Sequence, residues 1–241
     1  MRYTYTPAGS RSGQGQRGCS IRSGGLEYQH EVLEIRGEPD FVSRGGVKLR
    51  NALDGLEIDV SGLCCLDVGA STGGFTDCLL KRGATEVIAL DVAYGQIDFG
   101  LRNEPRVTVI ERLNARNLEP KDLSFAPELA VIDVSFISLT KVLGPVANCV
   151  APGGEILAMV KPQFELGRKR VGRGGVVRNP DDRREAVETV ADHGRALGLS
   201  LLGVQPTGLP GPKGNLETFL RFGTSGVGVE DGRTLCQGVE L

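Results

Sequence analysis

Cys64-Cys65-Leu66-Asp67-Val68-Gly69-Ala70-Ser71-Thr72-Gly73-Gly74-Phe75 decides the fold. Its first part is apolar and β-prone, and its second part turns through three glycines. Thr76-Asp77-Cys78-Leu79-Leu80-Lys81-Arg82, immediately after, has helical character. A strand, a tight glycine turn and a helix start form the device with which α/β proteins hold nucleotide-like ligands. Glycine lets the backbone reach positive φ and lets a ligand come close. A second apolar run, Glu86-Val87-Ile88-Ala89-Leu90, ends in Asp91. An acid at the tip of the second strand can take both hydroxyls of a ribose. Glycines in such turns also serve packing alone, so at this point both readings stand.

Outward from this stretch, strand-like and helix-like segments alternate. Strands are expected at 64–68, 86–91, 107–110, 128–133 and 155–160, and helices at about 73–82, 94–103 and 138–150. Asn179-Pro180-Asp181 is a helix start signal for a segment reaching Leu197. Leu199–Val204 and Leu216–Phe222 read as the last strands. Alternation of this kind predicts a parallel, doubly wound, Rossmann-like α/β sheet. In such a sheet the ligand lies beyond the carboxyl ends of the strands. Three charges stand at those ends: Asp91, Asp133 after Ala130-Val131-Ile132, and Lys161 after Ala158-Met159-Val160. A structural ion pair between Asp133 and Lys161 is the plainer alternative to catalysis.

The 241 residues suffice for one α/β domain with short extensions. Net charge is −2, so any nucleic-acid surface must be a local patch. Six cysteines form no CxxC pair, and Cys64 and Cys65 fall in a strand expected to be buried, which suits reduced structural thiols. With two histidines, a zinc centre or a His-based triad is not expected. No apolar run approaches the ~20 residues of a membrane span, and no secretory signal is visible. The expected location is the cytoplasm.

Residues 1–26 carry arginines and no acid and read as a disordered basic tail. Residues 27–41 look like the end of a small β module, with Glu31-Val32-Leu33-Glu34-Ile35 alternating as a half-buried strand. In Phe41-Val42-Ser43-Arg44-Gly45-Gly46-Val47-Lys48-Leu49, Ser43 or the glycines can cap a helix. Val47, Ala52, Leu53 and Leu56 give that helix an apolar stripe, and Lys48 lies off it, as a solvated charge would. Gly167-Arg168-Lys169-Arg170-Val171-Gly172-Arg173 follows Lys161 as a long basic loop suited to an RNA backbone. Pro210-Gly211-Pro212-Lys213-Gly214-Asn215 forms another turn near the same edge, just before Glu217.

Five stretches carry a resemblance: Ser43–Leu49, Leu66–Asp77, Ile132–Ser138, Val160–Glu165 and Gly211–Asn215. Together they resemble the TlyA family, the haemolysin A-like, FtsJ-related ribosomal RNA methyltransferases, over about residues 30–222. The resemblance implies a class I, S-adenosylmethionine-dependent methyltransferase domain at 42–223, followed by a C-terminal tail at 224–241. It implies a Lys-Asp-Lys-Glu tetrad on Lys48, Asp133, Lys161 and Glu217. It places the cofactor on Asp67, Gly69, Ser71, Gly73, Asp91 and Asn114. Arg44, Arg168, Lys169, Arg170, Arg173 and Lys213 are the candidate RNA contacts. The family's N-terminus is an S4-type RNA-binding module, of which only a remnant at 27–41 is recognisable; the tail before it departs from the pattern.

The expected reaction is 2′-O-methylation of a ribose, a cytidine's by resemblance, in ribosomal RNA. Lys161 is assigned as the proton acceptor, Asp133 positions it, and Lys48 and Glu217 orient the ribose. The partner is ribosomal RNA or a ribosomal subunit, with no membrane. A nicotinamide-dependent oxidoreductase is the competing enzyme class, but residues 67–74 do not spell GxGxxG. A catalytically impaired RNA-binding or haemolysin-like protein is the non-enzymatic alternative.

Overall fold

The computed structural model describes residues 40–225 and, separately, the two-residue strands β1 (Arg22–Ser23) and β2 (Leu26–Glu27), paired antiparallel. The chain divides into compact units at 1–39 and 40–241. Apart from these strands and the residues at the two junctions, the tail at 1–26, the module at 27–41 and the tail at 224–241 lie outside the described residues. The second unit holds the main sheet and every candidate site residue.

Helix α1 (Arg44–Gly55) opens the domain, with Ser43 as its cap, the hydroxyl accepting from Gly45 N at 3.3 Å. Then come β3 (Cys64–Val68), α2 (Gly74–Lys81), β4 (Glu86–Asp91), α3 (Phe99–Arg102), β5 (Val107–Glu111) and β6 (Leu129–Ile132). After these come α4 (Leu143–Ala147), β7 (Glu155–Val160), α5 (Pro162–Glu165), α6 (Pro180–Ala196), β8 (Ser200–Pro206) and β9 (Thr218–Gly223). The sheet order is β5-β4-β3-β6-β7-β9-β8. β3 to β7 pair in parallel, and β9 inserts antiparallel between β7 and β8. The chain winds outward from β3 to β5, then resumes at β6 on the other side. The crevice at that switch, outside the carboxyl ends of β3 and β6, is where this architecture binds ligands.

The pleat sorts side chains onto two faces. Leu66, Val68, Ile88, Ala130, Ile132, Ile156 and Ala158 pack with α4 and α6. Cys65, Val87, Ala89, Val131, Leu157 and Phe219 pack with α1 and α2. Burial on both faces explains why these strands read as unbroken apolar runs. Cys65, Cys78 and Cys149 are buried free thiols, and Cys64, at the start of its strand, is only partly covered, contrary to expectation.

Two expected helices are shorter than the sequence suggested. The segment 94–103 is helical only over α3, because Gly95 sits at φ 73° and Asp98 caps a late start. The segment 138–150 is a 3-10 turn, Leu139–Lys141, followed by α4. Ser138 accepts from Thr140 N, starting the turn with a local side-chain bond. The stripe expected on α1 is also corrected. Lys48, Leu49, Ala52 and Leu53 are buried, while Val47 is half-exposed. Helix α1 is covered on two sides, by α2 and by the turn into β9, so its buried arc is wider than one stripe.

Candidate active site

The turn after β3 is built by backbone necessity. Gly69 N and Ala70 N both donate to Leu90 O, at 2.8 and 3.1 Å, which folds the chain back over β4. Gly69 sits at φ 89°, and a Cβ there would lie 2.4 Å from Asp133 O. Gly73 at φ 94° is the N-cap of α2, and a Cβ there would meet Leu101 at 2.4 Å. Ser71 takes φ 50° without being glycine, local strain of the kind held at functional turns.

Three carboxylates surround this turn. Asp91 accepts from Ser71 N and Ala93 N, at 2.7 Å each, so backbone amides fix its orientation. Asp67 is fully buried in β3, where one oxygen accepts from Thr76 N at 2.9 Å and Thr76 Oγ1 at 2.7 Å. Its other oxygen has no partner. Burial, reinforced by Asp133 and Asp91, pushes the Asp67 carboxyl up to about 7. Asp133 is the third.

Two adjoining clefts open at this edge. One, of about 690 Å³, is lined by Lys48, Asp133, Lys161 and Glu217 together. The other, of about 970 Å³, is lined by Asp91 and Asn114. Gly69 and Ser71 line both, and Phe136, Gln163 and Phe164 form the wall between them. Asn114 caps a 3-10 turn by accepting from Arg116 N at 3.1 Å. Asp67 and Gly73 line neither cleft and shape the floor from below.

The four residues of the expected tetrad meet as two ion pairs. Lys161 Nζ lies 2.5 Å from Asp133 Oδ1 and donates to Ser135 Oγ at 2.9 Å. Lys48 and Glu217, 7 % and 3 % exposed, form a buried pair across 169 residues of chain. Two such charges are tolerated inside only because they are paired. Glu217 reaches this edge because β9 is reversed: its first residue, Thr218, sits opposite Val160 at the end of β7.

The basic candidates are distributed differently. Arg44 and Lys213 line the first cleft, and Arg44 donates to Pro210 O at 2.9 Å. Arg170 is engaged by Asp182 and Glu185 of α6, which fastens the loop to that helix. Lys169 and Arg173 are exposed on the same loop, and the Arg168 side chain lies outside the described residues.

Sequence reasoning missed several supports. Asn215, 2 % exposed, accepts from Val177 N at 2.9 Å and donates to Gly175 O at 2.8 Å, pinning the basic loop to the turn before Glu217. Glu165 accepts from Ser138 Oγ at 2.5 Å and Leu139 N at 2.9 Å, joining the segment after Lys161 to the one after Asp133. Burial raises its carboxyl above the usual range, against these bonds. Their signal was position alone, since Ser135, Ser138, Glu165 and Asn215 all stand inside the five stretches that carry the resemblance.

The family model for the FtsJ-like methyltransferase matches residues 41–224. The 16S/23S rRNA (cytidine-2′-O)-methyltransferase TlyA of Mycobacterium tuberculosis is 48 % identical over 200 residues, covering 80 % of this chain and 75 % of that one. Hemolysin A of Brachyspira hyodysenteriae is 37 % identical, covering 79 % of this chain and 80 % of that one. A solved chain from Streptococcus thermophilus superimposes with a TM-score of 0.81 at 38 % identity, covering 87 % and 76 % respectively.

Proposed function

The chain belongs to the FtsJ-like methyltransferase family, and from that premise we propose that it methylates a ribose 2′-hydroxyl of ribosomal RNA, a cytidine's, using S-adenosylmethionine. The observation that carries this reading is the meeting of Lys161–Asp133 and Lys48–Glu217 in one cleft, against the glycine turn. We place it in the cytoplasm, with the ribosomal RNA it is proposed to act on. Among the described residues no helix is long and apolar enough to cross a membrane.

The turn suits the cofactor by charge and by shape. Asp67, Asp91 and Asp133 crowd one edge, and a buried oxygen of Asp67 lacks a partner. A cation bound there offsets that crowding, whereas a nucleoside polyphosphate would add to it. Asp91 and Asn114 line one cleft, where Asp91 would take the ribose hydroxyls and Asn114 would contact the base, while Gly69 and Gly73 would let the cofactor approach the backbone. When bound, the cofactor supplies an activated methyl group and departs as a neutral thioether.

The protein's own work is alignment and proton acceptance. Lys161, which must be neutral to act as base, would accept the 2′-hydroxyl proton while the methyl group supplied by the cofactor passes to that oxygen. Asp133 and Ser135 aim that amine from two sides. The Lys48–Glu217 pair holds the ribose side of the cleft, and Arg44, Lys213, Lys169 and Arg173 meet phosphates around it.

Lys161→Ala should cut transfer of tritiated methyl to ribosomal subunits by at least the ~10²–10⁴-fold of general-base catalysis. Calorimetric affinity for S-adenosylmethionine should persist. A variant that labels the subunits at the wild-type rate overturns the assignment.

A further inference from the structure

The tip of β5 and the loop after β4 carry a group that the reaction does not use. The Arg112 guanidinium lies over the Tyr94 ring, 4.3 Å from its centroid, and Tyr94 is 67 % exposed. The arrangement is braced rather than casual. Gly95 N donates to Glu111 Oε1 at 2.7 Å, Arg112 N to Ala93 O at 3.3 Å, and Leu113 N to Asp91 O at 3.4 Å. Arg112 is held at φ 62°, a left-handed conformation that a long side chain adopts only when its surroundings impose it. Arg102 forms the ion pair with the Glu111 carboxylate, and Arg112, which acts on that carboxylate through its charge alone, lies over the ring. Among the described residues Arg112, Arg116 and Lys141 form no ion pair, and Arg116 and Lys141 line the neighbouring cleft.

A fixed aromatic ring, a guanidinium stacked on it and further unpaired cations nearby are what unpaired nucleobases and their phosphates bind. A duplex hides its base faces, so the fitting occupant is single-stranded. We propose that the Tyr94–Arg112 stack is a second RNA station: a nucleobase of the ribosomal RNA substrate, outside the target nucleotide, stacks on it. The inference rests on the ribose-methyltransferase reading and adds a distance to it. The RNA path crosses the whole carboxyl edge, from Lys213 over the dividing wall to β5. Recognition therefore needs a looped-out strand, not an isolated nucleotide.

The test uses filter binding of protein-free ribosomal RNA over a salt series, with calorimetry for S-adenosylmethionine. Tyr94→Ala should weaken RNA binding roughly 5- to 100-fold, on the scale of one base–aromatic stack, without changing the salt slope. Tyr94→Phe should restore affinity. Arg112→Gln should weaken binding and lower the slope of log K against log salt by about one. Cofactor affinity should be unchanged in all three. Unchanged RNA affinity in Tyr94→Ala overturns the station while leaving methyl transfer by the wild type intact. Loss of cofactor affinity in that variant also overturns it, by assigning the ring to the cofactor. If the wild type neither binds nor methylates ribosomal RNA, the functional reading falls, and the station with it.

Discussion

Asp67 shows how much one side chain is asked to absorb. It sits in the middle of the apolar β3 run, with one oxygen satisfied by Thr76 and the other bare. Its carboxyl is pushed from 3.8 to about 7, by burial first and then by Asp133 and Asp91, with Thr76 opposing. Between those values the folded protein keeps a proton that the unfolded chain has released. The group's contribution to stability therefore falls as pH rises from about 4 to about 7. Asp67→Asn removes that dependence while leaving an oxygen for Thr76. Thermal melts at pH 5 and pH 8 should show the variant gaining on the wild type at the higher pH. A gain at the lower pH would refute the assignment.

Among the elements, the crossing of α1 and α2 sets the tightest steric limit. A Cβ on Gly46 would lie 2.4 Å from the Phe41 ring and 2.8 Å from Gly74 O. One on Gly74 would lie 2.1 Å from Ser43 Oγ. Gly46→Ala should cost about 1–3 kcal/mol, the usual scale of overpacking, read as a lower denaturant midpoint at unchanged slope. A midpoint equal to the wild type would show that the crossing has slack. These glycines also mark what could be read in advance. Four of the five parallel strands, β3, β4, β6 and β7, were legible because burial on both faces makes each an apolar run, and Asp91, Asp133 and Lys161 were legible because a charge ends that run. The buried state of Lys48 was not, since helical periodicity sees one helix at a time. The cover that buries it, Glu217, is 169 residues away. The lengths of α3 and α4 were hidden for a related reason: local capping by Asp98 and Ser138 overrode the apolar pattern.

For the whole molecule, a net charge of −2 conceals a polarity. Arg44, Lys213, Arg116 and Lys141 gather around the clefts at the carboxyl edge of the sheet. Glu57, Asp59 and Glu128 line a smaller cleft at the opposite edge, where Glu155 is paired with Arg221. A polyanion is thus steered to one end of a slightly acidic protein. In stopped-flow association with ribosomal RNA at low salt, Lys213→Glu should slow the on-rate several-fold, and Asp59→Lys should leave it close to wild type. Equal effects at the two edges would exclude steering.

The reversed strand β9 has a consequence in time. During synthesis the turn that holds the cofactor, and the Lys161–Asp133 pair, are in hand before Glu217 has been made. Lys48 waits through 169 further residues of synthesis for the carboxylate that neutralises it, and α1 cannot settle around its charge until β9 slots in beside β7. The Lys48–Glu217 pair, and with it the meeting of all four residues, closes only when β9 lies beside β7.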